Sequence, residues 1–269
     1  MSYLNFLLLY LVLPIIILAF TLPRPLAGRG TGRTRWAIGA ICLIAFAYTT
    51  PWDNYLVYRE VWWYGPERVL GTIFFVPYEE YAFFILQPIM TGLLYYHVLG
   101  RRATWAEQPL PKWITPAQVV GALIYAALTA WGLWLLLAGA DSGLYMGLIL
   151  SWACPVLLGI WIYGGSLIWG LVRGPAAITI GSSTAYLWIA DWFAISDGIW
   201  EISATYTFGI NPFGLPIEEA TFFLVTNVLV VKGATLFLAG DLISAQSWWR
   251  KERLEEPLEE RQATNVEAS

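Results

Sequence analysis

The chain contains the stretch Pro77-Tyr78-Glu79-Glu80-Tyr81-Ala82-Phe83-Phe84, which returns in its second half as Pro216-Ile217-Glu218-Glu219-Ala220-Thr221-Phe222-Phe223. Each copy opens an apolar run that is long enough to cross a bilayer as a helix. Proline suits the first helical position, and acidic residues in the first turn satisfy its free N–H groups. Both copies are therefore predicted to begin a transmembrane helix, one in each half of the chain.

The composition indicates that lipid surrounds much of the chain. Of its 269 residues, 58% are hydrophobic and only 13% are charged, and the mean hydropathy is +0.59. A soluble domain carries about 25% charged residues. Seven apolar runs can be placed, at about 3–22, 36–50, 78–99, 117–139, 144–169, 176–195 and 216–238. Because unpaired backbone groups are costly in hydrocarbon, each run is predicted to be helical, which gives an all-α integral membrane protein of about seven transmembrane helices.

The basic residues are distributed unevenly between the two sides of this arrangement. Thirteen of the 15 lysines and arginines fall on one side, and only Arg59 and Arg68 fall on the other. The positive-inside rule then predicts an N-terminus outside and a C-terminus in the cytoplasm, within the cytoplasmic membrane. Residues 241–269 are rich in charge and are predicted to form a largely disordered cytoplasmic tail.

The two glutamate motifs belong to a longer internal repeat. Asp53 and Trp62 have the same spacing as Asp191 and Trp200. The repeat predicts two three-helix units, at 1–100 and 143–240, which are joined by a loop and a fourth span at 101–142. Because the units lie four spans apart, they face the same way, as a parallel 3+1+3 arrangement.

Comparison of the two units separates shared carboxylates from the others. Glu60 corresponds to Gly198, and Glu67 corresponds to Thr205. The shared acids, which are the candidate catalytic residues, are Asp53, Asp191, Glu79, Glu80, Glu218 and Glu219. Helix capping would explain one isolated motif, but carboxylates at membrane depth are costly and mark functional sites. Which glutamate of each pair would donate a proton is left open by the sequence.

Aromatic residues accompany both motifs. The candidate substrate-binding residues are Trp52, Trp62, Phe83, Phe84, Trp192, Trp200, Phe222 and Phe223. A carboxylic acid in an apolar pocket can remain protonated at neutral pH, and aromatic faces stabilise a cation. These are the groups needed to protonate an alkene and to stabilise the resulting carbocation. For each single tryptophan, anchoring at the membrane interface is an equally good explanation.

These motifs resemble the lycopene cyclase domain family, in its fused heterodimer type. The resemblance rests on Pro51-Trp52-Asp53-Asn54-Tyr55, Val61-Trp62-Trp63-Tyr64 and Gly198-Ile199-Trp200, together with the two glutamate motifs. It implies a lycopene beta-cyclase of carotenoid biosynthesis, an isomerase of the intramolecular lyase type. A protein acid would protonate the terminal isoprene double bond of lycopene, and ring closure would give γ-carotene and then β-carotene. The family's Pro-x-Glu-(Glu/Asp) pattern corresponds to Pro77, Glu79 and Glu80 in the first motif and to Pro216, Glu218 and Glu219 in the second.

The resemblance also bears on cofactors and partners. It implies the lipid bilayer and carotenoids as partners, with contact to other carotenoid-pathway enzymes and none to nucleic acid. Flavin-dependent lycopene cyclases carry a dinucleotide fingerprint, whereas Gly28, Gly30 and Gly32 lie in a basic loop with the wrong spacing. We therefore expect no tightly bound flavin or nicotinamide. We also expect no metal site, because His97 is the only histidine and the two cysteines form no CxxC pattern.

Other classes fit parts of the pattern. A seven-helix retinal protein would use Lys232, although Val228 rather than a carboxylate lies four residues before it. A prenyltransferase would need aspartate clusters for Mg²⁺ and diphosphate, which Asp53 and Asp191 are too sparse to form. A transporter fits the repeat alone, and a cyclase for another carotenoid is the remaining alternative. If one cavity lies between the halves, Glu79→Gln and Glu218→Gln are each expected to abolish cyclisation.

Overall fold

The computed structural model of the protein describes residues 1–22, 31–101 and 115–255. In these ranges the chain forms seven helices and four short strands. The helices are α1 (Tyr3–Thr21, with a π-helical turn at Leu8–Val12), α2 (Thr31–Tyr58), α3 (Tyr78–Arg101), α4 (Pro116–Ala138), α5 (Leu144–Leu171), α6 (Arg173–Ser196) and α7 (Ile217–Glu255). The strands are β1 (Trp62–Tyr64), β2 (Thr72–Ile73), β3 (Val76–Pro77) and β4 (Trp200–Ile202).

The all-α membrane class is confirmed. Each predicted apolar run falls on one of the seven helices, with at most one residue beyond a helix end, and α1, α3, α4, α5 and α7 are long and apolar enough to cross a membrane. The helices α2 and α6 have 28 and 24 residues and fall outside this group of five. The count of seven spans, the duplication and the orientation stay predictions. The backbone is helical up to Glu255, which includes the first part of the predicted tail, and residues 256–269 lie outside the described residues.

The two motif-bearing helices occupy the centre of the bundle. Helix α3 packs against α1, α2, α6 and α7, and helix α7 packs against α5, α6, α2 and α3. Helix α4 packs mainly against α5, on the outside. Because α3 and α7 are surrounded by other helices, their first turns are placed inside the protein rather than against lipid.

A short antiparallel sheet joins the loops of the two halves. Strand β1 pairs with β4 so that Trp62 lies opposite Ile202 and Tyr64 lies opposite Trp200. Two reciprocal backbone hydrogen bonds extend this contact, from Gly65 N–H to the Ile199 carbonyl at 2.9 Å and from Ser203 N–H to the Val61 carbonyl at 2.8 Å. A Cβ at Gly65 would lie 2.2 Å from the Gly198 carbonyl oxygen, so this approach requires glycine.

Helices α2 and α6 end in the same way just before these strands. The residues after them, Glu60 and Gly198, both adopt the left-handed conformation, with φ of 55° and 66°. The next N–H groups, of Val61 and Ile199, donate back to Leu56 and Ala194. Glu60 therefore occupies a helix-capping position that usually favours glycine. This explains why its carboxylate has no counterpart in the second half.

Candidate active site

A buried cavity of about 40 Å³ lies where the first turns of α3 and α7 meet the last turns of α2 and α6. Its carboxyl groups come from Asp53 and Glu80 in the first half and from Asp191 and Glu219 in the second. Asp53, Asp191 and Glu219 are at most 5% exposed. The other lining residues are Tyr3, Trp62, Tyr64, Phe83, Tyr145, Trp200, Ile202, Phe222 and Phe223. This carboxyl cavity is thus an acidic site within an aromatic wall.

The second glutamate of each motif lines this cavity and accepts tyrosine hydrogen bonds. The Tyr3 hydroxyl donates to Oε2 of Glu80 at 2.6 Å, and the Tyr64 hydroxyl donates to the same oxygen at 3.2 Å. In the other half, the Tyr145 hydroxyl donates to Oε1 of Glu219 at 2.6 Å. Burial and then the neighbouring Glu80 raise the pKa of Tyr64 well above its usual value, so this phenol keeps its proton.

The first glutamate of each motif has a different place. Oε1 of Glu79 accepts the Leu70 N–H at 2.8 Å, and Oε1 of Glu218 accepts the Phe208 N–H at 2.7 Å. Neither glutamate lines the carboxyl cavity. Adjacent residues of a helix point about 100° apart, which separates the two carboxyl groups of each motif. Glu79 and Glu218 therefore tie the preceding loops to the first helical turns.

The two shared aspartates complete the cavity and are incompletely satisfied. Oδ1 of Asp191 accepts the Trp200 indole N–H at 3.0 Å, whereas no described residue donates a hydrogen bond to Asp53. Oδ2 of each aspartate is buried and has no partner within the described ranges. Buried polar atoms without partners are costly and need an explanation beyond folding. Oε2 of Glu79 and of Glu218 is buried without a described partner in the same way, so the position of the aspartates in the cavity is what distinguishes them.

A second cavity of about 470 Å³ adjoins the first and is mostly apolar. It lies between α2, α3, α5 and α7, and its wall reaches from Phe222 to Phe237 along α7. The fifteen helical steps from Phe222 to Phe237 correspond to about 22 Å at 1.5 Å per residue. Among the described residues, only Phe83 and Phe222 line both cavities. We call this second cavity the apolar channel, and its length suits an extended hydrocarbon.

The structure brings most of the predicted aromatic residues to these two cavities. Trp62, Trp200, Phe83, Phe222 and Phe223 line the carboxyl cavity, and Phe84 lines the apolar channel. Trp52 lines neither, but its ring stacks on Phe222 and Trp152, with centroids 5.7 and 4.8 Å apart. Trp192 is 40% exposed, contacts Phe193 and lines neither cavity.

Sequence reasoning missed the tyrosines that contact the glutamates. Tyr3 and Tyr145 stand near the starts of α1 and α5, at corresponding places ahead of Pro14 and Pro155. Extension of the repeat to these helix starts would have found them. Tyr64 lies opposite Trp200 across the two strands, and only strand pairing reveals that relationship.

Two other kinds of site considered from the sequence are a retinal site at Lys232 and a metal site. The Lys232 ammonium donates to the Tyr125 hydroxyl, lies 4.2 Å from the Trp161 ring centroid and lines neither cavity. In the described part of the chain, no group of three or more His, Cys, Asp or Glu side chains could hold a metal ion. The carboxyl cavity is therefore the site that the repeated motifs build.

Comparison with known proteins finds curated relatives. No family model and no solved structure matches the chain. The chain is 40% identical over 229 residues to a protein named lycopene beta-cyclase from Halobacterium salinarum. The matched region covers 82% of this chain and 93% of that relative. The chain is also 41% identical over 204 residues to a bifunctional lycopene cyclase/phytoene synthase from Colletotrichum graminicola. This match covers 73% of the chain and 34% of that protein. It thus spans about a third of the fungal relative.

Proposed function

Because this chain belongs to the lycopene beta-cyclase family of enzymes, we propose that it closes rings at the linear ends of lycopene by proton transfer in the carboxyl cavity. One observation carries the proposal. The repeated motifs bring carboxyl groups from both halves into one buried cavity, and this cavity adjoins a long apolar channel. The channel would hold the polyene while one end of it reaches the carboxyl groups.

The cavity favours retention of protons. Four carboxyl groups line it, and no lysine, arginine or histidine of the described ranges lines it with them. Like charges repel strongly away from water, so the four groups cannot all be ionised together. Glu80 and Glu219 are the proposed proton carriers because each belongs to a repeated motif and lines the cavity. Asp53 and Asp191 are the proposed proton acceptors, since each lines the cavity and has a buried oxygen without a partner in the described ranges, whereas Glu79 and Glu218 have such an oxygen outside the cavity.

The proposed reaction balances in protons and electrons. A carboxyl O–H bond breaks as a C–H bond forms at the terminal isoprene double bond, which leaves a tertiary cation. The internal alkene attacks this cation and forms the ring C–C bond. A carboxylate then removes a proton from the ring, and a double bond forms. One proton enters and one leaves, so the product is an isomer and the reaction transfers no hydride or electron.

The aromatic wall would stabilise the intermediate cation. Phe83, Phe222 and Trp62 line the cavity next to the acids. An aromatic face near a desolvated cation contributes about 0.5–2 kcal/mol. The anionic carboxylate left by the first step would add electrostatic stabilisation in a site that excludes water. Because neither group needs a redox partner, we propose that no flavin, nicotinamide or metal is bound for catalysis.

The same cavity would serve both ends of the substrate. The first ring would give γ-carotene, and re-entry of the other end would give β-carotene. We propose a carotenoid in the bilayer as the substrate, with the N-terminus outside and the C-terminus in the cytoplasm. The fungal relatives' names join lycopene cyclase and phytoene synthase in one protein, which supports contact with other carotenoid-pathway enzymes.

Deuterium labelling tests the proposal directly. The purified protein, supplied with lycopene in heavy water, is expected to form cyclic carotenoids that keep one solvent deuteron per ring by mass spectrometry. Expression in cells that accumulate lycopene, followed by pigment chromatography, gives the matching result in a membrane. Rings without deuterium would exclude protonation by the protein, and a persistent lycopene peak without cyclic product would exclude the activity.

A further inference from the structure

We propose that Tyr3 and Tyr145 are positioning residues, which orient the carboxyl groups of Glu80 and Glu219 for proton transfer. This inference rests on the proposed function and adds a role that the glutamates alone do not supply. Each tyrosine donates a hydrogen bond of 2.6 Å to the glutamate of its own half. Both side chains are 1% exposed, so water does not compete for these contacts.

The two tyrosines are held by corresponding contacts. The Tyr3 N–H donates to the Arg68 carbonyl at 2.8 Å, and the Tyr145 N–H donates to the Tyr206 carbonyl at 3.2 Å. The Tyr3 ring meets the Trp200 ring edge-on at 5.0 Å, and the Tyr145 ring lies 5.4 Å from the Trp62 ring. Each tyrosine is therefore held by a hydrogen bond from its backbone and by the packing of its ring.

A helical irregularity brings Tyr3 into this position. Pro14 follows Tyr3 by one residue more than Pro155 follows Tyr145. Helix α1 contains a π-helical turn at Leu8–Val12, whereas α5 is α-helical throughout Leu144–Leu171. A π turn accommodates one extra residue without ending the helix, and such turns are frequent at functional sites. The irregularity thus lets α1 present a tyrosine where α5 presents one with regular geometry.

The chemistry follows from which oxygen each phenol contacts. Tyr3 binds Oε2 of Glu80 and Tyr145 binds Oε1 of Glu219, and no described residue donates to the other oxygen of either carboxyl group. In a neutral carboxylic acid, the carbonyl oxygen accepts a hydrogen bond and the hydroxyl oxygen carries the proton. The tyrosine therefore selects the carbonyl oxygen, and the transferable proton lies on the oxygen that is left for the substrate.

The same hydrogen bond gains strength during proton transfer. As the carboxyl O–H bond breaks, the glutamate becomes a carboxylate, and its bond to the phenol becomes charge-assisted. The phenol keeps its own proton throughout. Only the gain in strength over the neutral bond lowers the barrier, and this gain corresponds to a rate effect of about 10-fold.

The two halves differ in one respect that sharpens the test. Glu80 also accepts the Tyr64 hydroxyl, whereas Tyr145 is the only described donor to Glu219. Tyr145→Phe is expected to lower the cyclisation rate constant about 10-fold. Tyr3→Phe is expected to have a smaller effect, because Tyr64 remains, and the Tyr3→Phe/Tyr64→Phe pair is expected to approach the effect of Tyr145→Phe. The lycopene KM is expected to stay within about twofold, since the rings that pack in the wall are retained.

The control is Tyr95→Phe, which removes an equally buried hydroxyl that bonds Thr235 in a different packing cluster. Its rate is expected to match that of the parent protein. Infrared difference spectra add a readout specific to positioning: the carbonyl stretch that is lost in Glu219→Gln is expected to shift in Tyr145→Phe and not in Tyr95→Phe. Thermal unfolding in the same detergent shows whether each variant is folded.

A folded Tyr145→Phe variant with the parent rate and an unshifted carbonyl band would overturn the positioning role. A loss that appears in KM rather than in the rate constant would overturn it as well. If Glu80→Gln and Glu219→Gln keep full activity, the proposed acid chemistry fails instead. The two failures are therefore distinguishable within one set of variants.

Discussion

Phe83 and Phe222 occupy the same position of the two repeated motifs, and each lines both the carboxyl cavity and the apolar channel. The Phe222 ring is nearly parallel to that of Trp52, at an angle of 7°, and the Phe83 ring meets the Phe223 ring at 6.2 Å. The boundary between the two cavities is therefore made by one aromatic ring from each half. A hydrocarbon in the channel would pass these rings to reach the acids.

Replacement of Phe222 tests whether this boundary stabilises the cation. Phe222→Leu keeps an apolar side chain but removes the aromatic face, so the cyclisation rate is expected to fall about 2–30-fold, which matches 0.5–2 kcal/mol of cation–π stabilisation. Phe20→Leu is the control, because Phe20 is 89% exposed on α1 and lines neither cavity. Equal rates for both variants in an initial-rate assay would argue against a role of the ring in catalysis.

The two glutamates of each motif are expected to respond differently to the same substitution. Glu80→Gln and Glu219→Gln remove the transferable proton, so each is expected to lower the rate by about 10²–10⁴-fold. Glu79→Gln and Glu218→Gln keep a side-chain oxygen that can accept the loop N–H, so these variants are expected to retain most of the activity. Lycopene consumption by the four purified variants checks this.

If the Glu79→Gln and Glu218→Gln variants lose more activity than Glu80→Gln and Glu219→Gln, the roles assigned to the two glutamates of each motif are wrong. Loss of activity in Glu79→Gln without loss in Glu80→Gln would place the acid outside the carboxyl cavity. Such a result would agree with the expectation from the repeat that Glu79→Gln and Glu218→Gln each abolish cyclisation.

The contact between the two loops is expected to stabilise the fold. Gly65→Ala places a Cβ 2.2 Å from the Gly198 carbonyl oxygen and 2.8 Å from Cγ of Arg68. The backbone must shift, at a cost of about 1–3 kcal/mol in the free energy of unfolding. Gly159→Ala in α5 is the control, because its Cβ would meet nothing within 4 Å. Unfolding of both variants in detergent measures the difference, and equal stability would show that the loops can separate without cost.

Cofactor independence is expected from the reaction balance. Cyclisation moves a proton in and a proton out, so the purified protein is expected to act without added flavin or nicotinamide and to keep its rate in chelator. Dialysis against EDTA followed by the rate assay, with and without added reduced flavin, measures this. A rate restored only by a metal ion or by a reduced cofactor would contradict the proposed mechanism.

The membrane class and the positions of the helices follow from local features of the sequence. Long apolar runs must satisfy their backbone groups within hydrocarbon, and helices are the local way to do so. The runs were placed correctly because this requirement does not depend on neighbouring helices. The motif starts were equally local, since Pro77 and Pro216 stand directly before α3 and α7. Comparison of the two halves then selected Asp53 and Asp191, which both line the carboxyl cavity.

Which of these groups lie in contact depends on how the helices pack against one another. Residue spacing gives angles around a helix axis, but the rotation of each helix in the bundle is set by packing against its neighbours. That rotation turns Glu80 and Glu219 into the cavity, and it leaves Glu79 and Glu218 bonded to loops. It also leaves Trp192 at the surface. The contact between Tyr3 and Glu80 joins α1 to α3 over a long stretch of chain, so it exists only after the helices have packed.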